Sequence, residues 1–322
     1  MVTIVLGTSD QSSGIACVWQ NHAMRTSSRA SLTALLLAGL TVSASQAQRL
    51  RPRDVDALPS KPADTKIPYG PDALQFGDLR LPKGSGPFPV AVVIHGGCWV
   101  SKFATLKNTA ALADALRDAG IATWNIEYRR LDNPGGGWPG TFTDVGDATD
   151  FVREIAKAHP LDLARIVTIG HSAGGHLALW TAARSRLPKG SPLRRENPLP
   201  LRAAIALGGP GDLRDFQGYA QKICGADNVI DELMGGAPDA VKERYAQASP
   251  VELLPLGVRQ VLIVGADDGV MPLRAREGYE AAAKKAGDMV EVIVVAGGHF
   301  EVIAPTSGAW PAVRDKVLEL LK

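Results

Sequence analysis

The chain has little cysteine, three residues in 322. Cys17, Cys98 and Cys224 cannot build a disulfide scaffold. With no CxxC pair and no Cys/His cluster, nothing signals a structural metal. Charge of one sign is not in excess either. Thirty-five Lys and Arg against 33 Asp and Glu leave a formal net charge of +2. That balance, with no run of like charges, gives no reason to expect nucleic acid or an anionic membrane surface as a partner. A long hydrophobic run is missing as well. The longest near the start, residues 32–42 (LTALLLAGLTV), is too short to cross the roughly 30 Å bilayer core as a helix. What the sequence does have is apolar content, 45%. That is enough for a large core and excludes wholesale disorder.

The short apolar run reads as an address. Arg25 and Arg29 precede it, and the small residues after it end in Ser45-Gln46-Ala47. A positive n-region, a short h-region and a small-x-small exit describe a secretory signal peptide from Met24 to Ala47, with residues 1–23 as an upstream extension. An uncleaved anchor or a disordered tail are the alternatives. The expected mature chain is residues 48–322, one domain, secreted or periplasmic, with no integral membrane segment left. In an oxidising compartment Cys98 and Cys224 could pair. The sequence does not say whether their Cα atoms lie within about 7 Å.

Beyond a Pro-, Asp- and Lys-rich lead-in at residues 48–72, strands and helices alternate. Residues 90–94, 121–126, 166–169, 203–207, 261–264 and 290–295 are short apolar runs of the kind buried on both faces of a sheet. Helical spacing runs over 106–116, 144–158, 173–183, 272–286 and 312–321. The pattern predicts an α/β fold, a mainly parallel sheet with helices on both faces. Two stretches break it. Residues 184–200 read as a surface loop. Residues 208–250 read as a small cap-like insertion over the site, or as a plain connection.

One constellation carries chemistry. Gly170-His171-Ser172-Ala173-Gly174 directly follows the strand RIVTI and opens the helix AGGHLALWTAA. That placement describes a nucleophile elbow, in which the serine occupies a sharp turn and the helix amino terminus favours developing negative charge. A glycine-rich turn without catalysis is the plain alternative. A serine hydroxyl needs a base, and the base an orienting carboxylate. His299 lies just after the strand VEVIVV, and Asp267 and Asp268 just after VLIV. Both places are carboxyl ends of strands, where open α/β sheets put ligand sites. Acyl transfer also needs donors for an oxyanion. His95-Gly96-Gly97-Cys98-Trp99 follows the strand at 90–94, so the amides of Gly97 and Cys98, with that of Ala173, are the candidates. His95 is expected to anchor this loop and His171 to line the pocket. Cys98 reads as a small pocket-wall residue, not a nucleophile, because no base accompanies it. Trp99 either walls the acyl pocket or packs in the core. His176 reads as a packed helix residue. No metal or organic cofactor is implied.

These segments together, HGGCW, EYR at 127–129, GHSAGGHLALW and GGHF, resemble the α/β-hydrolase superfamily over about residues 75–320. They are most similar to its esterase branch, which includes arylformamidases (kynurenine formamidase-like) and bacterial feruloyl-esterase-like proteins. The resemblance implies an α/β-hydrolase fold, with Ser172 as nucleophile, His299 as base, Asp268 as acid and Gly97 as oxyanion donor, in the chain order of that fold. Relatives carry a glycine three residues before the acid and a proline four after it. Gly265 and Pro272 bracket Asp268 in this way and miss Asp267 by one position. Two departures stand out: Val264 replaces a histidine common in relatives, and Cys98 stands where tyrosine or glycine is usual. The expected substrate is a small-molecule carboxylic ester or aryl formamide. The rivals are a small peptidase of the prolyl-oligopeptidase type and a non-catalytic binding protein on the same fold.

Overall fold

The computed structural model describes residues 49–322 apart from 226, 227 and 272. The extension and signal peptide expected up to Ala47, and Pro272, lie outside the described residues. In chain order the elements are α1 (Pro52–Asp56), β1 (Thr65–Pro68), β2 (Phe76–Arg80), β3 (Phe88–Ile94), α2 (Ala110–Asp118), β4 (Ala122–Ile126), α3 (Gly140–Asp150), α4 (Val152–Ile155), β5 (Leu161–His171), α5 (Ala173–Ala183), β6 (Ala203–Leu207), α6 (Leu213–Cys224), α7 (Val229–Met234), α8 (Lys242–Ala248), β7 (Arg259–Gly265), α9 (Leu273–Lys285), β8 (Val290–Val295) and α10 (Trp310–Leu320).

The strands form one eight-stranded sheet in the order β1-β2-β4-β3-β5-β6-β7-β8. Strands β3 to β8 pair in parallel, and β2 runs antiparallel to both β1 and β4. Side chains alternate across a strand, so the run in β3 feeds two cores. Val90, Val92 and Ile94 join the layer that includes Trp124, Phe142 and Trp180. Ala91 and Val93 join the opposite layer with Leu112 and Leu116 of α2 and Val313 and Val317 of α10. Every residue of α5 is buried, as suits a helix held between a sheet and further helices.

The strand order decides where the site lies. From β3 the chain crosses to β4 on one side; from β5 it proceeds through β6, β7 and β8 on the other. The reversal falls between β3 and β5, which are direct neighbours with Ile94 opposite Gly170. Ligand sites form outside the carboxyl ends of strands at such a switch point. The loop after β3 and the turn after β5 are therefore brought side by side.

Several expectations change. The lead-in, where no element was expected, holds α1 and the edge strand β1. The helix expected from residue 144 begins at Gly140 and breaks at Phe151 into α3 and α4. The stretch 184–200 is only partly surface. Arg184 is buried against Asp150 at 2.8 Å, and Leu187, Leu193 and Leu199 are buried too. The insertion at 208–250 carries α6, α7 and α8. Cys98 and Cys224 are joined in a disulfide with their Cα atoms 5.8 Å apart.

Candidate active site

Ser172 sits between β5 and α5 with φ 52° and ψ −119°, a backbone region costly for any residue with a Cβ. The turn is tight enough to exclude a side chain beside it. A Cβ on Gly174 would lie 2.2 Å from the Ile94 carbonyl oxygen. The Ser172 amide donates to the Leu207 carbonyl at 2.9 Å, which fixes the turn to β6. Ser172 is half-buried and opens on a cavity of about 240 Å³.

Asp268 and His299 meet over this turn although they leave different strands. His299 Nδ1 lies 2.9 Å from Asp268 Oδ2. The second carboxylate oxygen, Oδ1, accepts the amides of Val270 at 2.8 Å and Met271 at 2.9 Å. The Asp268 side chain is only 2% exposed. Burial alone would raise its pKa, but the hydrogen bond and charge of His299, with the two amides, outweigh that and hold it below the usual carboxylate range. Close approach here needs Gly208. Its φ is +61°, and a Cβ would come within 3.0 Å of both Asp268 Oδ2 and His299 Nδ1. Asp267 points elsewhere, to an exposed pair with Arg49 at 3.6 Å.

On the other side of Ser172, Gly97, Cys98 and Trp99 are consecutive left-handed residues with φ +100°, +52° and +55°. The amides of Gly97, Cys98 and Ala173 have no acceptor among the described residues. Behind the loop lies a buried polar network around His95, the residue expected to anchor it, whose partners Glu127 and Arg130 sequence reasoning did not assign. His95 Nε2 is 2.9 Å from Glu127 Oε1, and Arg130 donates to the same oxygen at 2.7 Å. Glu127 Oε2 accepts the Leu106 amide at 3.1 Å, and the Tyr128 hydroxyl donates to the His95 carbonyl at 2.9 Å. The available signal was two charged residues, Glu127 and Arg130, at the end of a fully buried strand.

His171 lines the cavity beside Ser172 and His299. Its Nε2–H donates to the His299 carbonyl at 2.9 Å, so the residue preceding the elbow also holds the loop of the expected base. Burial, then the charge of His299, lowers its pKa to about 3. Trp99 needs a correction. It does not line the cavity; it is 1% exposed, within the main core and edge-on to His176 at 5.4 Å. Among the described residues, no cluster of three His, Cys, Asp or Glu side chains could hold a metal ion. No helix there is long and apolar enough to cross a membrane.

The buried histidines set a pH dependence of stability. His176 donates to the Ala248 carbonyl at 2.9 Å, and burial lowers its pKa to about 4. An unfolded histidine binds its proton near pH 6.5, whereas these two stay neutral in the fold. Stability should therefore fall as pH drops from 6.5 toward 4, by about 1.4 kcal/mol per unit for each histidine. Denaturant titrations at pH 7.5, 6.0 and 5.0 should show this, with roughly half the slope in His176→Gln. A flat profile would mean that neither ring is held neutral.

Comparison with known proteins agrees with this architecture. Residues 78–277 match the family described as BD-FAE, a span from β2 through the elbow and Asp268 into α9. The esterase EstD of Thermotoga maritima is 26% identical over 211 residues, covering 60% of this chain and 49% of the esterase. The isoprenylcysteine alpha-carbonyl methylesterase ICME of Arabidopsis thaliana is 32% identical over 120 residues, covering 37% of this chain and 27% of that protein. The chain thus spans less than half the length of either. Among solved structures, esterase B of Lactobacillus rhamnosis superposes with a TM-score of 0.68 at 20% identity, covering 84% of this chain and 88% of that one. A truncated carbohydrate esterase from gut microbiota gives 0.66 at 23%, covering 80% and 98%. At such identities these two likenesses speak for the fold. With the family match extending over more than half of its length, the chain belongs to the BD-FAE family, in the esterase branch of the α/β-hydrolases.

Proposed function

We propose that the protein is a serine hydrolase that cleaves small carboxylic esters through an acyl-enzyme. One observation carries the reading. An elbow serine, a histidine that pairs with Asp268 at 2.9 Å, and Gly97 and Cys98, whose amides have no acceptor among the described residues, all border one small cavity. Ser172 Oγ attacks the ester carbonyl carbon as His299 Nε2 takes the hydroxyl proton. Asp268 accepts the Nδ1–H, holds that tautomer and stabilises the imidazolium that forms. The carbonyl oxygen becomes an oxyanion, met by the amides of Gly97, Cys98 and Ala173. Collapse expels the alcohol, which receives the proton from His299. Water then repeats the sequence on the acyl-enzyme and releases the acid.

The cavity limits the substrate. At about 240 Å³ it is smaller than the roughly 300–1,000 Å³ of sites for drug-sized ligands. Phe103, Ala104, Ile223, Val270 and Phe300 supply an apolar wall, and among the described residues no Lys or Arg lines it. A short, uncharged acyl group fits these walls better than a long chain or a carboxylate-bearing one. Among p-nitrophenyl esters, kcat/KM should be highest for acetate to butyrate and fall at least about tenfold by decanoate, since overfilling a packed site is costly. An aryl formamide belongs in the same assay as the competing leaving-group chemistry. A preference for decanoate, or activation by emulsified triglyceride, would overturn the size argument. The Cys98–Cys224 pairing also supports export, since such bonds persist in oxidising compartments.

A further inference from the structure

Cys98 is held in an unusual way. It and Trp99 are adjacent non-glycine residues in the left-handed region, where L side chains crowd the backbone and the surroundings must enforce the conformation. The loop closes on itself around Cys98 and is tied outward at Trp99. Val100 donates to the Gly97 carbonyl at 2.8 Å, and Leu131 donates to the Trp99 carbonyl at 2.9 Å. Cys98 itself makes no backbone hydrogen bond among the described residues. Its fixed attachment is the bond from Sγ to Cys224, 126 residues on in sequence. Cys224 is the last residue of α6, in the insertion, and is buried. The residue before it, Ile223, lines the cavity.

We propose that Cys224 is a positioning residue for the oxyanion loop, acting through its disulfide with Cys98. The proposal rests on the reading of Ser172 as an acylated nucleophile and of the Cys98 amide as an oxyanion donor. An oxyanion donor must stand about 3 Å from where the charge will develop, not from where the substrate carbonyl begins, so small rotations of Cys98 cost turnover more than binding. The bond from Val100 to Gly97 lies within the turn and fixes the Cys98 amide only relative to it, so the turn as a whole can pivot about its bond from Leu131. The disulfide removes that freedom from the side-chain end. It also joins the donor to the helix that carries Ile223, so one covalent bond sets both the oxyanion site and part of the acyl wall. A bond that only stapled the fold would not need to end on the donor residue.

The test compares wild type, Cys98→Ser, Cys224→Ser and the double variant, each checked for a cooperative melt. Complete loss of an oxyanion donor costs about 10²–10³ in kcat. A donor that is present but unanchored should cost about 10- to 100-fold in kcat, with KM moved much less. The double variant should be no worse than either single one, because all three remove the same tie. If a variant does not fold, the native protein is treated with a water-soluble phosphine. The phosphine gives two electrons to the S–S bond and becomes its oxide with oxygen from water, whose protons go to the two new thiols. The same fall in kcat should follow while circular dichroism is unchanged, and reoxidation should restore it. A lowered Tm with kcat intact, in the variants or on reduction, would overturn the proposal. Failure of a fluorophosphonate to label Ser172 in the native, disulfide-bonded protein would instead sink the serine-hydrolase reading, whatever the variants do.

Discussion

Ser172→Ala should abolish turnover, by on the order of 10⁶ in kcat, and leave the fold intact. The size of the effect follows from how completely the site is arranged around that oxygen. Without it no acyl-enzyme can form, and the proposed base His299, with Asp268, has no serine proton to remove. The remaining donors and the cavity could still favour direct attack by water, which sets the residual rate at about 10³–10⁴ over the uncatalysed one. The fold should survive because the strain at Ser172 belongs to the backbone, φ 52°, and alanine inherits it unchanged. A fluorophosphonate should label native protein at Ser172 and leave the variant untouched. A folded native protein that resists the reagent would favour a binding role for the same cavity.

Asp268→Asn should cost about 10⁴ in kcat, and Asp267→Asn no more than a few-fold. Two neighbouring carboxylates differ this much because the turn after β7 sends them in opposite directions. Asp268 is buried, with both oxygens engaged by His299, Val270 and Met271. An asparagine amide in its place would present N–H to Nδ1. The ring proton would then move to Nε2, the nitrogen that must accept from Ser172. Asp267 only pairs with Arg49 at 3.6 Å on the surface, a contact worth little in water. Steady-state rates of the two variants, each checked for folding, decide the assignment. A crippled Asp267→Asn with a healthy Asp268→Asn would move the acid by one residue.

The parts of the fold legible in the sequence were those whose signal is local. Strands β3 and β6 are continuous apolar runs, and α5 opens at Ala173 because the elbow ends one periodicity and begins another. The lead-in hid α1 and β1 because a short helix and an exposed edge strand with a proline leave no apolar pattern. Strand β2, FGDLR, breaks its own pattern with a glycine and two charges. Helix α3 starts at Gly140, after a Gly- and Pro-rich stretch that reads as a loop. In the candidate site, order along the chain and strand ends pointed to Ser172, His299 and the neighbours Asp267 and Asp268, and the resemblance, through Gly265 and Pro272, chose Asp268. The structure sets His299 and Asp268 in contact. What pattern could not reach was contact between distant residues: the Glu127–His95 network, the His171 bond to a carbonyl 128 residues away and the partner of Cys98. Trp99 was ambiguous because an aromatic after two glycines looks the same whether it faces a cavity or a core.

The four strands whose carboxyl ends lead to the site, β3, β5, β7 and β8, are also made in that order, which imposes a timetable on synthesis. A ribosome that has finished α5 has already made Ser172 and the loop of Gly97. Asp268, the proposed acid, comes only after β7, and His299, the proposed base, after β8. Cys224, which is bonded to Cys98, is likewise made after Ser172. Until β8 has been made a nascent chain holds Ser172 without His299, and until β7 has been made it lacks Asp268 as well. On the proposed mechanism, a chain that stops before His299 is inert toward the esters around it.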